Sequence, residues 1–384
     1  MRILLLTTLV PDGPPSGGTL VTLELSRRLE SYGAVERWAV WTYEPQAAEN
    51  GAWRGARMIS PSRLRRHGVR RGLSRRLPLG VSRFFRADLA RELTRRDSFD
   101  VFIADHLGVW QYGCLVSAKR RVLHTHNVES EIYERAVGLD RSPLKRLIWR
   151  YEASAMARYE AQAVRAADGV LCLGTRDQAL VSERYGVHAE AWYPPIGPAR
   201  PVRGKRARGR IVGSVGSLTW QPNRWGMDWF VEEVWPLVRR RIPDAQLRLA
   251  GRGSECLPYR AESGIALLGR VDDLEAFYES VDVVVAPVRG GAGIKVKVMD
   301  AAARGLPVVT SSAGIEGFGA GLPSTIAVAD HAEQFARLVA AFLESKHALP
   351  LEENVAWYRR LVGEGEQAVQ AAVLGVRRAA TGAP

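Results

Sequence analysis

The 384-residue chain has little cysteine, fewer acidic than basic residues and no long apolar run, and each shortage closes off a class of protein. Its three cysteines, Cys114, Cys172 and Cys256, are odd in number and lack the close spacing of zinc sites or disulfide frameworks. They read as reduced thiols, with Cys172 in an apolar strand-like run. No apolar stretch reaches the length of a membrane span. The opening MRILLLTTLVPDG starts like a secretory signal, but it breaks at Pro11-Asp12-Gly13 and has no small-residue cleavage pattern. Ile3–Leu9 therefore reads as a first strand, and the cytoplasm is the expected location. No GxGxxG follows that strand, which counts against a nicotinamide or flavin enzyme. No internal repeat stands out.

Almost all of the formal net charge of +13 comes from one segment. Between Arg54 and Arg96, fourteen arginines stand against Asp88 and Glu92, and the rest of the chain is nearly neutral. Nucleic acid is not the expected partner of such a distribution. The segment has three readings: peripheral contact with an anionic membrane at its inner face, recognition of an anionic acceptor by guanidinium forks, or an ordinary solvated face. Leu64, Val69, Leu73, Leu77, Phe84 and Phe85 are interspersed, which allows burial or membrane contact.

Strand and helix patterns alternate along the chain, which predicts an α/β protein with parallel sheets covered by helices. Strands are expected at Ile3–Leu9, Glu36–Thr42, Asp100–Ala104, Arg121–His124 and Gly169–Leu173, with helices at Thr19–Tyr32, at Pro143–Ala167 and from Thr175. The segment Tyr193–Arg210 carries four prolines and then a basic run, and reads as a linker. The alternation restarts with strands at Ile211–Val215, Gln246–Ala250 and Ile265–Leu268 and helices at Trp225–Arg239 and Leu274–Tyr278. Two helices close the chain, His331–Ser345 and Leu351–Leu374. The expected division is an N-terminal domain over 1–195, a C-terminal domain over 196–350, and a last helix in 351–384 that returns to the first domain.

The most informative stretch is Val281–Phe318. A buried strand, Val281–Ala286, runs into a turn with Gly290, Gly291 and Gly293, then into a helix through Met299–Ala303 that is stopped by Gly305 and Pro307. Leu306–Thr310 reads as the next strand. A strand, a glycine loop and a helix N-terminus together form an anion site. Lys295 and Lys297 stand in the first turns of that helix, where the dipole disfavours cations, and an anionic ligand such as a diphosphate explains them. The bland alternative is two solvated lysines.

At these residues the chain resembles glycosyltransferases of the GT-B fold, and most of all glycosyltransferase family 4. The pieces that carry the likeness occur in the family's order: SVGSLTWQPNRWG (214–226), PDAQLRLAGRG (243–253), LLGRVDDLEAFYESVDVVVAP (267–287) and GGAGIKVKVMDAAARGLPVVTS (290–311). PSGG (15–18), LHTHNVES (123–130) and YEAQAVRAADGVLCLGTRD (159–177) match weaker features of the first half. The form Trp-x-Pro-Asn in Trp220–Asn223 is similar to a family subgroup.

The resemblance implies two Rossmann-like domains facing a central cleft, the second binding a nucleotide-diphosphate sugar and the first binding a hydroxyl acceptor. Lipid-linked, anionic and natural-product acceptors are all open. It further implies transfer with retention and neither a metal nor a cofactor. A non-catalytic sugar-nucleotide binding protein and a sugar-nucleotide epimerase are the alternatives.

Residue by residue, the resemblance puts Asp300 on the ribose, the alternative being an ordinary helical aspartate. The family's second acidic residue falls on Ala292, a departure that leaves the contacts to the donor sugar open. Lys297, or else Lys295, is expected to meet the leaving diphosphate, together with Gly290, Gly291, Gly293 and Ile294. Ser217 replaces a family arginine, which leaves Asn223 and Arg224 as nearby candidates, with rigid packing of Trp220 and Pro222 as the alternative. Gly251, Arg270 and Val271 complete the expected donor side. In the first half, Gly17 and Gly18 are expected near the donor phosphates. His126 matches a family histidine that positions the donor sugar, with His124 its alternative, and Asn127 and His106 are expected in the same region.

Overall fold

Runs of buried aliphatic residues with no polar alternation require a sheet covered on both faces, and two such sheets organise the chain. The computed structural model describes residues 1–8, 17–40, 57–59, 71–72, 76–139, 142–202, 209–259, 263–290, 293–345 and 349–376. They form two units, Met1–Pro194 with Glu364–Pro384, and Pro195–Gly363.

Unit 1 is built on seven parallel strands in the order β3-β2-β1-β4-β5-β6-β7. They are β1 (Arg2–Thr7), β2 (Ala34–Val40), β3 (Arg57–Ile59), β4 (Phe99–Asp105), β5 (Ala118–Thr125), β6 (Gly169–Leu173) and β7 (Glu190–Trp192). Its helices are α1 (Gly17–Glu30), α2 (Leu79–Ser82), α3 (Ala87–Arg95), α4 (Glu129–Leu139), α5 (Pro143–Ala166) and α6 (Thr175–Tyr185). Helix α5 starts where the sequence signals it, with Ser142 as cap and Pro143 in the first turn. Two of its buried carboxylates serve other helices. Glu152 accepts from the Leu79 and Gly80 amides at the start of α2, and Glu160 accepts from the Glu129 and Ser130 amides at the start of α4. Each anion answers the free N–H groups and positive dipole end of the helix it faces.

Unit 2 has six strands in the order β10-β9-β8-β11-β12-β13, namely β8 (Ile211–Val215), β9 (Gln246–Ala250), β10 (Ile265–Gly269), β11 (Val283–Ala286), β12 (Val308–Thr310) and β13 (Ile326–Val328). All its ladders are parallel. The helices are α7 (Gln221–Trp229), α8 (Trp235–Arg241), α9 (Leu274–Glu279), α10 (Val296–Ala303), α11 (Ala332–Glu344) and α12 (Leu351–Leu374). The helix expected from Trp225 begins earlier, because Pro222 fits a first turn that needs no N–H. A π-turn at Phe230–Val234 joins α7 to α8, and Pro236, which cannot donate to the carbonyl four residues back, accounts for the widening. Lys295 caps α10 instead of lying within its first turn. Helix α12 is divided between the units. In unit 2 the buried Asn354 binds the Leu306 carbonyl and Thr325, and in unit 1 the Ala372 carbonyl accepts from Arg120. No helix among the described residues is long and apolar enough to cross a membrane.

Both strand orders reverse direction beside their first strand, at β1/β4 in unit 1 and at β8/β11 in unit 2. The crevice beyond the strand ends at such a switch point is where open α/β sheets take their ligands.

Candidate functional site

In unit 2 the switch point is shaped by close backbone approaches. The chain leaves β8 at Gly216 (φ +153°), and Gly251 (φ +128°) backs on to it, so that a Cβ on Gly251 would lie 2.1 Å from the Gly216 carbonyl oxygen. A Cβ on Gly226 would lie 1.7 Å from the Pro287 carbonyl oxygen. The first contact joins the loops after β8 and β9, and the second joins helix α7 to the loop after β11. Asn223 Nδ2 donates to the Ser217 carbonyl at 2.9 Å, and its Oδ1 accepts from Lys297 Nζ at 2.9 Å. A cavity of about 10 Å³, room for one water, is lined by Gly216, Asn223, Pro287 and Lys297 among others.

Burial, and then the charge of Lys295, push the Lys297 ammonium down to about 8. A cation beside a helix N-terminus, disfavoured by the dipole as well as by burial, gains most when an anion arrives. Lys295 is turned elsewhere and donates to the Gly293 carbonyl at 2.6 Å.

Asp300 is 5% exposed. Its carboxylate accepts from Tyr278 Oη at 2.8 Å and from Arg304, which also pairs with Glu275. Burial pushes the Asp300 carboxyl up, against the pull of Arg304 and Tyr278. Arg224 forms an ion pair with Asp228 at 2.7 Å, and the Ser217 hydroxyl pairs with Thr219. Arg270 and Val271 follow the edge strand β10, which pairs with β9. Gly290, Gly293 (φ +70°) and Ile294 are buried between β11 and α10, whereas Gly291 and Ala292 lie outside the described residues.

In unit 1 the switch point is closed around a carboxylate. Asp105 ends β4 and is fully buried. Its Oδ1 accepts from His124 Nδ1 at 2.7 Å and His126 Nε2 at 2.8 Å; its Oδ2 accepts from Thr7 Oγ1 at 2.7 Å and Thr22 Oγ1 at 2.6 Å. The pairing of Thr7 with Asp105 across β1 and β4 sets the Thr7 contact. Gly17 and Gly18 open α1, the helix that supplies Thr22; the residues before them lie outside the described set.

His106 stacks on His126 with ring centroids 3.7 Å apart. To do so its backbone takes φ +90°, a conformation nearly confined to glycine, and such strain concentrates at functional sites. Burial, then the neighbouring His126, push the His106 imidazole down to about 4, and burial lowers His126 as well. Burial alone would raise Asp105, but the adjacent histidines and their hydrogen bonds outweigh it and hold the carboxyl well below its ordinary value. A neutral His126 donating to an anionic Asp105 follows. His124 Nε2 is buried without a hydrogen-bond partner among the described residues, and Asn127 is partly buried next to His126. Among the described residues, Asp105, His124 and His126 are also a group in which potential metal-ligating atoms converge. The four hydrogen bonds of the carboxylate are 2.6–2.8 Å long, and His106 Nδ1 lies 3.6 Å from its Oδ2.

Asp105, Thr7 and Thr22 were not expected as site residues. The available signal was a single acid closing the apolar run Val101–Ala104, at the strand end where parallel sheets place their chemistry. Of the arginine-rich segment, the described residues include Arg71 stacked on Phe85, Arg86 paired with Asp88, and Arg96 paired with Glu36 and stacked on Trp38. Those guanidinium groups are engaged within unit 1.

Comparison with known proteins follows this division. Residues 209–345, inside unit 2, match the family model described as glycosyl transferases group 1. A Klebsiella pneumoniae relative, described as an uncharacterized 44.6 kDa protein in the cps region, is 23% identical over 283 residues, which is 71% of this chain and 70% of the relative. A mutant of S. aureus TarM, solved with fondaparinux, α-GlcNAc-glycerol and UDP, has a TM-score of 0.69 at 11% identity, over 98% of this chain and 99% of its own. Anabaena HepE in complex with UDP-glucose gives 0.60 at 12% identity, over 98% and 97%. WaaG, described as a glycosyltransferase involved in lipopolysaccharide biosynthesis, gives 0.61 at 15% identity, over 97% and 98%. The chain therefore has the α/β GT-B fold.

Proposed function

We propose that this protein is a glycosyltransferase that moves a sugar from a nucleotide-diphosphate donor to a hydroxyl acceptor. The observation that carries the reading is the Lys297–Asn223–Gly216 cluster at the unit 2 switch point, inside the segment that matches glycosyl transferases group 1. The UDP and UDP-glucose of the TarM and HepE complexes support a nucleotide sugar as donor.

In this reading the diphosphate docks against the α10 N-terminus and the loop after β8. As the glycosidic bond to the donor breaks, negative charge grows on the diphosphate, and the preplaced Lys297 ammonium stabilises it. Asn223 holds that ammonium in place. Asp300, through Tyr278 and Arg304, fixes α10 and presents its remaining lone pairs to the ribose. His126, oriented by Asp105, hydrogen-bonds a sugar hydroxyl. Transfer proceeds with retention, the leaving diphosphate taking the acceptor's proton from the same face.

A thermal-shift panel of nucleotide sugars, followed by product analysis with candidate acceptors, tests this. One nucleotide sugar is expected to raise the melting temperature, and its sugar to appear on an acceptor hydroxyl with the same anomeric configuration. A panel with no stabilising nucleotide sugar overturns the reading.

A further inference from the structure

Helix α5 of unit 1 carries a feature that the donor chemistry does not use. Leu144, Leu147, Ile148 and Tyr151 are 69%, 63%, 46% and 38% exposed. Their spacing of i, i+3, i+4 and i+7 puts them on one face of the helix. Every residue from Pro143 to Ile148 is exposed, so the first turns of α5 stand clear of the unit's core. Large apolar groups gathered in one stripe, unlike scattered single ones, mark a contact surface.

The charge around the stripe has one sign. Lys145, Arg146 and Arg150 are exposed beside it. The first acid of the helix, Glu152, is buried and turned to the Leu79 and Gly80 amides. On α4, which packs against α5, Glu131 is held by Arg135 and Arg176, and Glu134 by Arg184. Asp140 and Arg141 lie outside the described residues and cancel in charge.

We propose that the N-terminal turns of α5 dock on an anionic lipid surface, the apolar stripe entering the headgroup boundary and Lys145, Arg146 and Arg150 meeting the headgroups. The amphipathic pattern is that of an interfacial helix. A protruding apolar tip needs no shaped pocket in a bilayer. A second copy is a poorer occupant, because a two-fold contact through this stripe would set the three cations against their own copies. This proposal stands independently of the sugar-transfer reading.

Co-sedimentation of the full chain with vesicles tests it. The protein is expected to pellet with phosphatidylcholine vesicles containing phosphatidylglycerol and to stay in solution with phosphatidylcholine alone. Combined K145Q, R146Q and R150Q substitutions should weaken binding about a hundredfold, at about fivefold per cation. The pair L147S and I148S should abolish binding that survives added salt. Both variants are exposed-site changes, and an unchanged circular dichroism spectrum and melting temperature verify that they fold. Failure to pellet with anionic vesicles overturns the proposal, as does equal pelleting of the wild type and both variants. A concentration-dependent dimer that either variant abolishes, without vesicle binding, overturns it in favour of self-association.

Discussion

At the switch point of unit 1 an anion, Asp105, is surrounded by four side-chain donors. At the corresponding place in unit 2 a cation, Lys297, has one hydrogen-bond acceptor among the described residues, Asn223 Oδ1. The two sheets share the same central strand order, so topology does not account for the difference. What differs is how each charge is met. Asp105 is stabilised by its surroundings and its carboxyl is held low, whereas Lys297 is disfavoured by burial and its ammonium is pushed down to about 8. Physically, the Asp105 carboxylate of unit 1 has donors on both oxygens, whereas the Lys297 ammonium of unit 2 has one acceptor among the described residues and stands to gain from an anion.

Breaking each charge should therefore have opposite consequences. Asp105→Ala strands two histidines and two threonine hydroxyls in the interior, and should destabilise unit 1 by about 3 kcal/mol or more. Calorimetric unfolding should show this while UDP binding in unit 2 survives. Lys297→Gln should leave stability unchanged or raised near pH 7, because a charge disfavoured by burial is removed, yet weaken UDP binding about 10–100-fold. A Lys297→Gln protein that unfolds easily and still binds UDP normally would reverse the contrast.

The acid limb sharpens it further. His106, lowered from 6.5 to about 4, binds a proton in the unfolded chain before it does so in the folded one, and His126 is shifted the same way. Stability should therefore fall as pH drops from 6.5 towards 4, by up to about 1.4 kcal/mol per pH unit for each such proton. Asp105, held low, contributes stability above its ordinary value that is lost only in stronger acid. Denaturant unfolding at a series of pH values reads this slope, and a flat profile contradicts the buried histidine cluster. The smallest effect concerns the backbone. His106→Gly should be more stable than His106→Ala by about 1 kcal/mol, since φ +90° strains alanine and not glycine.

The alternation of strands and helices was legible because parallel strands are apolar throughout and their helices carry caps and stops. Gly169–Leu173, Ile211–Val215, Gln246–Ala250 and Leu351–Leu374 have the bounds that the pattern predicts. Of the four three-residue strands, β12 falls inside the expected Leu306–Thr310, whereas β3, β7 and β13 are too short to show a period and only their neighbours make them strands. Lys297 was visible as a cation in the wrong place for a helix dipole. Its partner Asn223 was a candidate from the sequence, but the bridge between them depends on Gly226 approaching the Pro287 carbonyl, a contact across more than 60 positions. Asp105 was overlooked for the same reason: three separate segments supply its donors, and no local pattern joins Thr7 and Thr22 to the His124–His126 pair.

The account rests on Lys297 gaining its missing counter-charge from a nucleoside diphosphate. Calorimetric titration of UDP at pH 7 and at pH 9, in buffers of different ionisation heat, addresses this directly. With the ammonium at about 8 in the free protein, a bound diphosphate raises it, so affinity should fall about tenfold over this range and binding near pH 8.5 should take up about three-quarters of a proton. Both effects should vanish in Lys297→Gln. Equal affinity at the two pH values with no proton uptake, or binding that Lys297→Gln leaves untouched, would contradict a diphosphate site at the unit 2 switch point.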